Sequence, residues 1–195
     1  MTVQFDSAEP RAEADARPPA VREARRRRSR HGPAALVALF VPAALFPVGL
    51  VLLRDDPRFG WLGRPADYPW ELWAVAICGA AATLGGIADW RFHRSGVTVV
   101  GVREHRAHVA ALGLGGVPLF GLMAAASVSP RPLVLLPGVL VVLIVCVVLI
   151  CYDEFLFHRR CGRYEALMHR LLTIGNGLAF LAWSHWCFVR GGGHA

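Results

Sequence analysis

Five long apolar runs constrain this chain more than any other feature. They extend over Pro33–Leu53, Trp70–Ala88, Ala107–Val128, Pro132–Tyr152 and Ala166–Val189. Each is close to the ~20 residues that a helix needs to cross ~30 Å of hydrocarbon. A chain of 195 residues that is 55% hydrophobic would suit one rich globular core if its apolar residues were dispersed. Here they are blocked, which favours the bilayer as solvent. The expectation is an all-α polytopic membrane protein of five transmembrane helices. The first run follows a basic stretch, but it exceeds the apolar core of a signal peptide and lacks a small-x-small cleavage site, so it reads as a retained helix, 33–53. Residues 1–32 hold much Ala, Arg, Glu and Pro and few large apolar side chains. They read as a disordered basic cytoplasmic tail drawn to anionic lipid, and 191–195 as a flexible tail.

The formal net charge is +7. In a soluble protein the Arg25–Arg28 run would suggest nucleic acid. In this chain the basic residues sort by side of the membrane, and no nucleic-acid partner is expected. Arg22, Arg25–Arg28, Arg30, Arg91, Arg94, Arg103, Arg106, Arg159, Arg160, Arg163 and Arg170 fall on the side that alternation assigns to the N-terminus. By the positive-inside rule the N-terminus is cytoplasmic and the C-terminus outside, in a multi-pass plasma (inner) membrane protein. Trp61, Tyr68, Trp70, Trp73, Trp183 and Trp186 would then form an outer interfacial belt. The five cysteines show no CxxC spacing and read as small buried hydrophobes, without a disulfide framework.

The two hairpins on the cytoplasmic side resemble one another. Asp89-Trp-Arg-Phe-His93-Arg94 parallels Glu154-Phe-Leu-Phe-His158-Arg159, and Glu104-His-Arg-Ala-His108 parallels Glu165-Ala-Leu-Met-His169. This is an internal repeat of about 65 residues, both copies running the same way, so the relating axis lies along the membrane normal. Helices 2–3 and 4–5 would form a pseudo-two-fold four-helix bundle within residues 54–190, with the first helix outside it.

A carboxylate and an imidazole four residues apart share one face of a helix and can converge on one ion. Four such pairs occur: Asp89 with His93, Glu104 with His108, Glu154 with His158, and Glu165 with His169. Beyond Glu71 the chain has five acidic residues, and four of them carry a histidine at i+4. Eight histidines in 195 residues make a single chance match about a 4% event. Any one pair is more economically a solvated helix-end pair; four pairs in a repeat point to metal. His105 and Asp153 are placed beside the ligands, and Thr173 and Asn176 continue the face of Glu165 and His169 as a polar stripe toward the bilayer. His185 lies roughly 24 Å beyond His169 along a helix, too far to join, and reads as an interfacial polar residue.

Eight ligands from four helices suit two metal ions. The arrangement resembles the di-iron and di-manganese carboxylate sites of ferritin-like bundles, in ligand type and pseudo-symmetry. The spacing differs, being E-x-x-x-H throughout, and so does the number of histidines. The resemblance implies iron or manganese as cofactor and an oxidase, hydroxylase or desaturase acting on a lipophilic substrate at the cytoplasmic interface. Membrane lipid would be its surroundings and a separate protein its electron donor, since no flavin or dinucleotide motif is present. The alternatives are a zinc-dependent intramembrane hydrolase and a non-enzymatic metal-ion carrier or sensor.

Overall fold

The computed structural model describes residues 32–94, 107, 109–157 and 162–192, and all of those from Leu36 onward belong to one compact unit. Among the described residues every regular element is helical. α1 is Gly32–Leu53, α2 Trp70–Arg94, α3 Val117–Val128, α4 Leu136–Phe157 and α5 Arg163–Ser184. Each apolar run is thus met by a helix. Three segments, Trp70–Phe92, Ala111–Val128 and Pro132–Leu156, are long and apolar enough to cross a membrane, and Ala43–Leu53 forms a shorter apolar stretch. α5 falls short because Arg163, Glu165, His169 and Arg170 occupy its first two turns. α4 makes the strongest case for lipid. It is apolar on all sides, yet only 6% of its spanning window is covered by the rest of the chain. Such a helix cannot be left bare in water.

Glycine sets which helices touch. α2 and α5 form the most extensive helix pair. At Gly175 a Cβ would stand 2.8 Å from the Cys78 carbonyl oxygen and 3.0 Å from the Ala82 Cβ; at Gly85 it would stand 3.0 Å from the Leu172 nitrogen and the Met168 oxygen. The helices approach backbone to backbone, and only hydrogen fits between them. α3 and α4 form a second pair, in which Gly115 lies so close that its Cβ would be 3.0 Å from the Cys146 Cα.

Gly115 belongs to a π-helical turn, Ala111–Gly116, that leads into α3. Its cause is close by in the sequence. Pro118 has no N–H to give a carbonyl one turn back, and its ring crowds that turn. The wider turn relieves the crowding, and the Val117 N–H reaches the Leu112 oxygen five residues earlier. The run closes at Ser129, and a 3₁₀ turn over Pro132–Leu135 opens α4.

The best-packed part of the molecule is the end bearing the α1–α2 connection. Two 3₁₀ segments, Pro57–Gly63 and Pro65–Asp67, fold over the helices and bury Phe59 and Leu62 against Leu72, Leu119, Ala126, Val139, Trp183, Trp186 and Cys187. The Asp56 carboxylate caps the first segment by accepting from the Arg58 N–H at 3.0 Å. The Arg58 guanidinium then donates to the Val128 carbonyl at 3.1 Å, tying the connection to the C-terminal end of α3. Tyr68 donates its hydroxyl to the Leu62 carbonyl at 2.9 Å.

This packing corrects the expected aromatic belt. Trp183 and Trp186 are buried core residues, and the Trp183 indole N–H donates to Ser127 Oγ at 2.9 Å. Trp70 and Trp73 stay exposed. The cysteines that are described are free, but Cys151 is exposed and only Cys187 is fully buried.

Candidate functional site

Those predicted ligands that fall among the described residues belong to the opposite end, where α2 and α4 finish and α5 begins. The ends of α2 and α5 meet there, the Phe92 and Tyr164 rings being 5.6 Å apart. Asp89 is half-buried on α2. On α4, Asp153 is buried and Glu154 is half-buried; on α5, Glu165 and His169 are both buried. The i, i+4 relation turns Glu165 and His169 to one face of α5, and that face points inward.

Glu154 and His169 come together from different helices, Nε2 to Oε2 at 3.0 Å. The imidazole is 9% exposed and the carboxylate 43%. A carboxylate and an imidazole that converge across two helices form either an ion pair or half of a metal shell, and oxygen and nitrogen donors of this kind suit iron, manganese or zinc. Among the described residues no group of three or more His, Cys, Asp or Glu side chains is close enough to hold an ion. Four of the eight proposed ligands, the His93 side chain, Glu104, His108 and His158, lie outside the described residues, as does His105. Thr173 is half-buried, whereas Asn176 is exposed, so the polar stripe turns outward beyond Thr173. Along α2, Leu84, Ile87, Ala88 and Phe92 line an open groove with Tyr164 of α5 and Arg91.

A second polar constellation stands at the far end, and sequence reasoning did not find it. Glu71, in the first turn of α2, has no exposed surface. Its Oε1 is 2.7 Å from Nδ1 of His185, and its Oε2 accepts from Arg190 Nη1 at 3.0 Å. The Trp70 ring packs on His185 at 5.6 Å. Local backbone geometry brings both partners round. α5 widens into a π-helical turn over His185–Val189, closed by the Arg190 N–H on the His185 oxygen at 3.0 Å. Gly191 and Gly192 then take left-handed φ of 78° and 63°, and the Gly192 N–H returns to the Trp186 oxygen. His185 is therefore the partner of a buried carboxylate, a closer tie than the interfacial role expected of it. The only sequence signal was an acid opening an apolar run, which asks for a partner without naming it.

No protein-family model matches the chain, and comparison with curated proteins and with solved structures finds no match.

Proposed function

We propose that the chain is a five-helix membrane protein whose α2–α3 and α4–α5 hairpins are two copies of one unit, and that these hold two metal ions between Asp89, His93, Glu104, His108, Glu154, His158, Glu165 and His169. The proposed activity is a di-metal oxidase, hydroxylase or desaturase acting on a lipophilic substrate. The observation that carries it is the 3.0 Å contact between Glu154 and His169, two of the predicted ligands meeting from separate helices.

The helix pairing supports the duplicated reading. A two-fold exchange of α2 with α4 and of α3 with α5 turns the α2–α5 pair into the α4–α3 pair, and these are the two glycine-mediated contacts. Gly175 rests on Ala82, seven residues before Asp89; Gly115 rests on Cys146, eight residues before Glu154. The contacts thus fall at matching depths in the two copies.

In this reading burial fixes Glu165 and His169, and Glu154, which meets the imidazole at Nε2, would be a ligand beside it. Buried Asp153, next to Glu154 on α4, would orient a histidine ligand. The open groove of Leu84, Ile87, Ala88, Arg91, Phe92 and Tyr164 offers an acyl chain a mostly apolar path along α2 to the same end, with Arg91 on its rim. Bound iron or manganese would let dioxygen serve as the oxidant: it takes two electrons from the carbon–hydrogen bond and two from a separate donor protein, and leaves as water, with one oxygen atom kept in the product when the reaction is a hydroxylation.

Purification in a mild detergent, followed by metal analysis and an optical spectrum, tests the assignment. Iron or manganese is expected. Zinc alone would replace the oxidase with a hydrolase, and a Soret band, the mark of haem held by the histidines, would overturn both.

A further inference from the structure

The Glu71–His185–Arg190 constellation lies at the end of the bundle away from the proposed metal cluster, and nothing in the oxidase reading uses it. A carboxylate with no exposed surface is costly to bury, and a buried ion pair is weak evidence for stability, since apolar side chains of similar volume do as well or better. Its geometry has another consequence. Glu71 spends one oxygen on each partner and so fixes both in place. His185 commits Nδ1 and leaves Nε2 without a hydrogen bond among the described residues; Arg190 commits Nη1 and keeps Nη2 and Nε. Both side chains remain about half exposed, 44% and 49%. Two nitrogen-bearing groups are thereby held on one carboxylate, each about half exposed and each with nitrogen not committed to it, their rotamer entropy already lost in folding.

We propose that this is a binding site for a phosphate group, whose oxygens would meet the Arg190 guanidinium and Nε2 of the His185 ring. A planar guanidinium offers paired N–H groups to phosphate oxygens, which an ammonium cannot reproduce. The surroundings favour the phosphate of an amphiphile: Trp70, packed at a tilt against His185, and Trp73 on the next turn both stay exposed, as aromatic side chains do at headgroup level. Free phosphate offers the same oxygens and is the other source.

The experiment uses the full chain in a maltoside detergent, which carries no phosphate. Short-chain phosphatidic acid, diacylglycerol of the same chain length and inorganic phosphate are titrated, and the thermal unfolding midpoint is followed. Phosphatidic acid is expected to raise the midpoint saturably and diacylglycerol to leave it unchanged. Competition by inorganic phosphate would assign the site to soluble phosphate; its absence would assign it to a headgroup. His185→Gln and Arg190→Gln are each expected to weaken the response by about tenfold, the loss of a charge-assisted hydrogen bond. Arg190→Lys keeps the charge against Glu71, and with it the fold, yet should also bind more weakly. Equal responses to phosphatidic acid and diacylglycerol, or an unchanged affinity in folded Arg190→Lys and His185→Gln, would overturn the proposal.

Discussion

Single side chains decide most at the two ends of the bundle. Trp183 carries an indole N–H in the core, and its acceptor is Ser127 Oγ, which in turn donates to the Met123 carbonyl at 2.8 Å. Ser127→Ala strands that indole donor, and a destabilisation of about 1–3 kcal/mol is expected in chemical unfolding in detergent. Trp183→Phe removes the donor along with some packing and should cost no less than the serine change, because the ring is also buried against Phe180 and Phe188. Residue-scale legibility was uneven. Glu165 and His169 could be found because helical periodicity writes their shared face into a spacing of four. Glu71 and His185 are 114 positions apart, and no local pattern links them. Trp183 and Trp186 look like interfacial residues in a linear reading; they become core only once Phe59 and Leu62 fold over them.

At the scale of elements, run length and hydropathy located the five long helices among the described residues, because the bilayer demands both and leaves little freedom in either. The interruptions were less legible. The π turn before α3 follows from Pro118, a visible residue, but the fold resolves the conflict by widening the turn instead of ending the helix. The 3₁₀ cap over Pro57–Gly63 has no hydropathy signature, being held by Asp56, Arg58 and two buried side chains. Helix pairing rests on glycines whose partners are invisible in one sequence. It yields a direct prediction. Gly175→Ala places a methyl group against the Cys78 carbonyl and Ala82 at 2.8–3.0 Å, where rigid backbone cannot yield. It should destabilise the protein by about 1–3 kcal/mol. Gly177→Ala, with open space around its Cβ, should be neutral or slightly stabilising, since alanine is the better helix former. Comparing the two unfolding midpoints checks the α2–α5 contact without reference to function.

The whole molecule divides its labour between its ends. Packing is concentrated beneath the α1–α2 connection, and at the other end α4 and α5 are tied by Glu154 and His169. The proposed five crossings would place residues 1–31 and Arg190 on opposite sides, and the proposed orientation would put Arg190 outside. A phosphatase reporter fused after Arg190 is then expected to be active and one fused within residues 1–31 inactive; activity of both or of neither would contradict five crossings. The central claim, that the carboxylate–imidazole cluster holds metal, is tested most directly by metal content per chain in protein purified with and without its cross-helix pair. Glu154→Ala and His169→Ala are each predicted to lose at least about half of the metal that the unaltered chain retains, since each removes a shared ligand of a two-ion site, while Arg190→Gln at the far end keeps it all. Equal metal content in all four proteins, or none in any, would contradict the claim and leave Glu154 and His169 as an ion pair between two helix ends.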